Sequence, residues 1–224
     1  IGPGQGALTD HLLSAANELD VVELDRDLIP ILRTMFFRYE DLRIHEADAL
    51  KFDFASLKND DRPLRIVGNL PYNISTPLIF HLLSHAGLIQ DMHFMLQKEV
   101  VERMSAGAGE NNYGRLGIMT QYFCQVQALF VVGPGAFSPA PKVDSAIVRL
   151  TPYKELPYPA KNVKDLQNVV RTAFNQRRKT LRNTLKTLIP SETIEQLGID
   201  PTLRPEKISL PEFVKLSDWL TEQG

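Results

Sequence analysis

Eight short runs in the first 152 residues alternate between strand and helix patterning, and this rhythm constrains the fold more than any other feature. "LDVVELD" reads as a strand, "DLIPILRTMFFRY" as mostly helix, and "LRIHEADAL" as a strand running into a loop. "PLRIVGNL" is a strand, "PLIFHLLSHAG" a helix, "DMHFMLQKE" a strand, "YGRLGIMTQYFCQ" a helix and "SAIVRLTP" a strand. Strands separated by helix-length segments favour a mainly parallel sheet with helices on its faces. Pro152, Pro157 and Pro159 then interrupt the pattern, and the text beyond is helical: "VKDLQNVVRTAF", "KTLRNTLKTLI", "ETIEQLG" and "LPEFVKLSDWL". The expected organisation is a doubly wound α/β domain over 1–152, a linker over 153–162 and a small all-helical domain over 163–224.

With 224 residues, 43% hydrophobic and 23% charged, the chain has enough apolar material for a real core. No run of about 18 apolar residues is present to suggest a membrane span. A single cysteine, Cys124, rules out an internal disulfide and suits a reducing cytoplasm. It stands in "QYFCQVQALFVV" and reads as a buried structural thiol. His81, His85 and His93 lack a third ligand within reach of the first two, so no metal site is expected.

Open parallel sheets bind ligands at the carboxyl ends of their strands. Four candidate features fall there. Gly2, Gly4 and Gly6 in "IGPGQGALTDHLL" stand between a probable strand end and a helix, where glycine lets the backbone approach a ligand closely. A tight turn without a ligand is the competing reading. Glu23 ends the next strand, where a carboxylate can accept both hydroxyls of an adenosine ribose. Asp48, followed by Ala49, ends the third, where its carboxylate suits an adenine amine; an Asx turn is the competing reading. The loop lacks the full G-x-G-x-x-G frame and Pro3 removes a donor, which argues against a pyrophosphate-bearing nicotinamide cofactor. No G-x-x-x-x-G-K-[ST] is present.

The fourth feature is "GNLPYNIST", which closes the strand "RPLRIV" with an amide, a rigid turn and an aromatic. An adenine N6 amine is a poor nucleophile because its lone pair is delocalised into the ring. Acceptors around its N–H groups pull the nitrogen toward a tetrahedral geometry. The Asn69 side-chain oxygen and the Leu70 carbonyl, aimed by Pro71, supply two, and Tyr72 offers a stacking surface. Methyl transfer from a sulfonium then needs positioning and electrostatics rather than a strong base. Phe137, in "GAFSPAPKVDSAIVRL", is placed to cover the other face of a flipped base, with a core anchor as its competing reading.

With these residues assembled, the chain resembles the rRNA adenine N6,N6-dimethyltransferase family over nearly its whole length. The resemblance rests on "IGPGQGALT", "VVELDRDL", "EADAL", "GNLPYNISTPL", "HFMLQKEV", "YGRLGIM", "FSPAPKVDSAIVRL" and "AFNQRRKTLRNTL". The last of these and the longer helical tail favour the small-subunit branch over the large-subunit enzymes of macrolide resistance. The resemblance implies a Rossmann-like fold and S-adenosylmethionine as methyl donor. It implies dimethylation of two adjacent adenosines near the 3′ end of small-subunit rRNA, linked to small-subunit maturation in the cytoplasm. It places Gly2, Gly4 and Gly6 along the cofactor, Glu23 on its ribose, Asp48 and Ala49 at its adenine, Asn69, Leu70, Pro71 and Tyr72 at the target amine, and Phe137 on its base. Family members carry a basic segment with a Q-N-F-L-like stretch ahead of the glycine turn. Its lack here is expected to weaken cofactor binding and activity. A monomer is expected. Competing functions are a non-catalytic assembly factor, an adenine-N6 DNA methyltransferase and, last, a nicotinamide dehydrogenase.

The net charge of −2 conceals an asymmetry. Residues 1–60 carry twelve acidic and six basic side chains, whereas 171–186 carry six basic and no acidic ones. Arg171, Arg178, Arg182 and Lys186, spaced 7, 4 and 4, share one face if the helix is continuous. Such a stripe suits RNA phosphates.

Overall fold

The computed structural model describes residues 1–176 and 178–224. They form two compact units that interleave along the chain: 1–98 with 128–152, and 99–127 with 153–224. The break at 152/153 coincides with the start of the expected linker, whereas 99–127 clusters with the C-terminal half.

The first unit follows the alternation. Helix α1 (Ala7–Leu13), strand β1 (Leu19–Glu23), helix α2 (Leu28–Met35) and strand β2 (Leu42–Glu46) come first. They are followed by β3 (Leu64–Asn69), α3 (Ser75–Leu83) and β4 (Ile89–Gln97). Beyond helix α4 (Lys98–Ser105) and helix α5 (Arg115–Phe123), strands β5 (Cys124–Val132) and β6 (Ser145–Pro152) complete the sheet. β1 and β2 pair in parallel, and a four-stranded sheet has the order β3-β4-β6-β5. β3 and β4 are parallel, but β6 runs antiparallel to β4, a direction that the run "SAIVRLTP" did not reveal. β5 was also missed. Its Leu129, Phe130 and Val131 are exposed at the sheet edge.

The first two residues connect the two sheets. The Ile1 nitrogen donates to the Val67 carbonyl of β3 (2.8 Å), and Gly2 N–H donates to the Val22 carbonyl of β1 (2.9 Å). The glycine turn is thereby fixed between the ends of β1 and β3. Leu13, Leu32 and Phe36 pack with Leu19, Leu42 and Ile44, seating α1 and α2 on the first pair of strands. In the larger sheet, β4 and β6 oppose Met92 to Leu150, Phe94 to Val148 and Leu96 to Ala146. All six side chains are buried. Each large apolar side chain withdrawn from water contributes about 1.5–3 kcal/mol, which sets the register of this antiparallel pair.

The second unit is built around α6 (Val163–Phe174) and α9 (Leu210–Gln223), with the short helices α7 (Leu181–Thr184) and α8 (Ser191–Gln196). Leu166, Val169, Val170 and Ala173 recur at helical spacing and are fully buried. Asn162 caps α6, and Ser209 with Glu212 forms a capping box at the start of α9. The Tyr113 hydroxyl donates to the Ile208 carbonyl (2.7 Å) in the same core. Gly117 brings α5 against the end of α4: a Cβ there would stand 2.4 Å from the Arg103 carbonyl oxygen. Cys124 is buried, and burial pushes its thiol up to about 12, as befits a structural residue. No helix among the described residues is long and apolar enough to cross a membrane.

Candidate active site

The carboxyl ends of β1, β2 and β3 carry the candidate residues, all within the first unit. Glu23 closes β1 and is 8% exposed. One carboxylate oxygen accepts from Gly4 N–H (3.2 Å) and the other from Asp25 N–H (2.9 Å). Backbone donors therefore aim both oxygens, and each keeps acceptor capacity for a further hydroxyl. The Glu23 carbonyl accepts from Ala47 N–H (3.0 Å), tying the tip of β2 to the tip of β1. Gly2, Gly4 and Gly6 all have positive φ. Gly6 is doubly constrained, because a Cβ there would lie 2.4 Å from the Phe36 ring.

Asp48 stands two residues beyond β2. Its Oδ1 accepts from Leu50 N–H (2.9 Å), so the Asx turn is present, and Oδ2 makes no hydrogen bond among the described residues. The turn and a ligand role are compatible, since one oxygen fixes the loop and the other keeps its acceptor capacity. Ala49 beside it is buried.

Asn69 ends β3 opposite Met95 of β4, and its side chain is exposed. Leu70 N–H is spent on the Met95 carbonyl (3.2 Å), and its buried side chain anchors the turn. The Leu70 carbonyl falls between the end of β3 and the start of α3, outside both ladders. Ile74 N–H donates to the Pro71 carbonyl (3.2 Å) and the Ser75 hydroxyl to the Tyr72 carbonyl (3.2 Å), closing the turn onto α3. Tyr72 itself is 47% exposed, an aromatic ring offered to solvent. Phe137 follows a 3₁₀ turn (Pro134–Ala136) and is half-buried. Its loop returns to the same rim, where Lys98 N–H donates to the Asp144 carbonyl (2.9 Å) at the end of β4.

Two residues of this rim escaped sequence reasoning. Gly68 lets the chain entering the glycine turn pass close: a Cβ would stand 3.1 Å from the Ile1 carbonyl oxygen and 2.9 Å from the Leu70 side chain. Leu24, next to Glu23, is 65% exposed, an apolar side chain held in water on the rim. Its position directly after the strand-end acid is the only signal in the sequence.

The basic segment requires a correction. α6 ends at Phe174, so Arg171, Arg178, Arg182 and Lys186 do not share one continuous helical face. Past that end, the backbone N–H groups of Leu181 and Arg182 donate to the carbonyls of Leu203 (2.8 Å) and Pro201 (3.0 Å). All four cationic side chains are nonetheless exposed. Lys186 joins Lys179, which the spacing argument passed over, in a cavity of about 430 Å³. Asn175, Gln176, Asn183 and Thr187 share its walls, and no carboxylate does. Arg177 of the same run lies outside the described residues. Among the described residues no cluster of histidine, cysteine or carboxylate side chains could hold a metal; His81 bonds the Phe52 carbonyl oxygen (2.8 Å).

The chain matches the model of the family described as ribosomal RNA adenine dimethylase over residues 1–222. It is 67% identical over 224 residues to the ribosomal RNA small subunit methyltransferase A of Marinobacter nauticus, covering 100% of this chain and 81% of that protein. The protein of the same name from Pseudomonas putida is 65% identical over 223 residues, covering 100% and 84%. Among solved structures, a dimethyladenosine transferase from Plasmodium falciparum superposes with a TM-score of 0.81 at 31% identity, over 96% of this chain and 86% of that one. The 23S rRNA methyltransferase ErmE superposes at 0.70 with 24% identity, over 98% and 88%, and shares the fold.

Proposed function

Because the chain belongs to the ribosomal RNA adenine dimethylase family, we propose that it methylates the N6 amines of two adjacent adenosines near the 3′ end of small-subunit rRNA, with S-adenosylmethionine as donor. The observation that carries this reading is the convergence on one rim of the backbone-aimed Glu23 carboxylate, the Asp48 loop and the exposed Asn69 amide.

The donor set fits an adenosine-bearing cofactor. Glu23 presents two fixed acceptors for vicinal ribose hydroxyls, Asp48 Oδ2 an acceptor for an adenine amine, and Leu24 an apolar surface for the ring. When bound, the cofactor supplies an electrophilic methyl group on sulfur. The protein's own part is to hold the target nitrogen. The Asn69 side-chain oxygen and the Leu70 carbonyl accept from its N–H groups, Pro71 fixes their direction, and Tyr72 and Phe137 cover the base. This is catalysis by placement and by fixed dipoles, in which the amine becomes acidic only as it gains the methyl. The second unit contributes cations: Arg171, Arg178, Arg182 and Lys186, with Lys179, meet phosphates of the RNA. The partner is the immature small subunit, and the protein works as a monomer in the cytoplasm.

The test is to incubate the protein with labelled S-adenosylmethionine and undermethylated small subunits, then to map the modified bases. Label in two adjacent adenosines of the small-subunit rRNA is the expected result. Label confined to large-subunit rRNA or to DNA would overturn the assignment.

A further inference from the structure

We propose that His81 is a positioning residue of the cofactor site, locking the loop that carries Asp48 to the helix that follows the target-base motif. The inference rests on the function proposed above. His81 Nε2 lies 2.8 Å from the Phe52 carbonyl oxygen, which can only accept, so Nε2 carries the proton. Phe52 belongs to the loop that begins at Asp48. That loop is rigid within itself: Asp48 Oδ1 holds Leu50 N–H, Lys51 N–H donates to the Asp48 carbonyl (2.9 Å), and Asp53 holds Ala55 N–H (3.0 Å). At the other end, α3 begins within the turn of Tyr72, closed by the Ile74 and Ser75 bonds. His81 is thus the hydrogen bond by which a stiff loop with the adenine acceptor is fastened to a stiff helix with the target-base platform.

A ladder of rings reinforces the fastening. His45 of β2 meets Phe52 at 5.3 Å between centroids, Phe52 meets Phe54 at 5.1 Å, and Phe54 meets His81 at 5.8 Å, all tilted or edge-on. His85, just past the end of α3, lies 5.1 Å from His81, with its Nε2 3.6 Å from Asp53 Oδ1. The hold on the loop is therefore the His81–Phe52 hydrogen bond, with His85 stacked edge-on beside it. An adenine acceptor already held in place needs no ordering when the cofactor binds, so a loop left free to move lowers affinity. A loosened loop would first be felt as weaker cofactor binding, since the loop touches the cofactor and not the target amine.

The experiment compares His81→Phe, which keeps the ring ladder and removes the donor, with His81→Gln, which restores an N–H donor. Both are made in the whole protein. Calorimetric titration with S-adenosylhomocysteine and steady-state methylation of undermethylated subunits are the readouts. His81→Phe is expected to raise the Kd for S-adenosylhomocysteine and the KM for S-adenosylmethionine about five- to tenfold, the size of one neutral hydrogen bond, with kcat within about twofold. His81→Gln is expected to recover most of the loss. If His81→Phe does not fold, His81→Asn replaces it, since its shorter amide falls short of the Phe52 carbonyl. Equal affinity in wild type and the donor-less variant overturns the inference, even if thermal stability falls. A drop in kcat with KM unchanged overturns it too. A wild-type protein that binds no S-adenosylhomocysteine overturns the functional reading itself, and the inference with it.

Discussion

The strand-end rim of the first unit and the basic run after Phe174 are both polar sites, yet they are built on opposite plans. The rim gathers Gly4, Glu23, Asp48 and Asn69 from distant points of the chain, and backbone bonds aim Glu23 and brace the Asp48 loop. The basic run is contiguous in sequence, but its helix breaks after Phe174, and exposed Lys and Arg side chains project from turns as well as helices. The rim encodes direction, and the run encodes charge. Direction is lost with one atom, whereas charge is lost in increments.

The sharpest test of that contrast is Asn69→Ala. Removing a preorganised polar contact to the reacting group costs about 10²–10³ in rate, or about 3–4 kcal/mol. The loss should appear in single-turnover methylation, with S-adenosylhomocysteine affinity changed little. Undiminished methylation would break the comparison at its strongest point. Next in size is Gly6→Ala, which tests whether the rim is backbone-made. The new Cβ would meet the Phe36 ring at 2.4 Å in a left-handed conformation. A loss of about 2 kcal/mol in urea unfolding is expected, partly relieved by Phe36→Leu.

The basic run should respond in the opposite style. Lys179→Ala and Lys186→Ala should each weaken RNA binding modestly and reduce the slope of log affinity against log salt by about one. The double variant should reduce it by about two. An unchanged slope would remove the cavity from the RNA contact surface. The smallest effect concerns Asp20 at the far end of β1. Burial raises its carboxyl, but hydrogen bonds from Arg43 and His45 outweigh this and hold it below the ordinary range. A depressed carboxyl contributes stability above about pH 4 that is lost as pH falls further. Asp20→Asn should therefore flatten the acid limb of stability by less than about 1 kcal/mol, because the pair is partly exposed. Urea unfolding at neutral and acid pH measures it.

The rim was legible because strand ends follow local rules. An acid closing "VVE", an Asp two residues past "LRIHE" and an amide closing "RIVGN" each announce a position along the strand, and the parallel topology brings those ends together. Their roles toward donor and base remain part of the proposal. The shared basic face was conditional on one continuous helix, and the end of α6 at Phe174 removes that condition. α6 has already ended at Phe174 when the Leu181 and Arg182 N–H groups bond to carbonyls some twenty residues later, contacts that local spacing does not show. β5 was unreadable for a related reason. Its start, Cys124-Gln125, was taken into the preceding helix, and its apolar end, Leu129 to Val131, is exposed where a core strand would bury it.

The sequence by itself determined the α/β class, the glycine turn, the family and the strand-end positions of Glu23, Asp48 and Asn69, because these depend on short-range patterning and on residue chemistry. Only the tertiary structure decided the antiparallel entry of β6, the need for glycine at positions 6 and 68, the assignment of 99–127 to the second unit and the grip of His81 on the Phe52 carbonyl. Each of these turns on a contact between residues far apart in the chain. Such contacts are selected by shape and by the demand that buried polar groups find partners, and neither demand is written in local sequence.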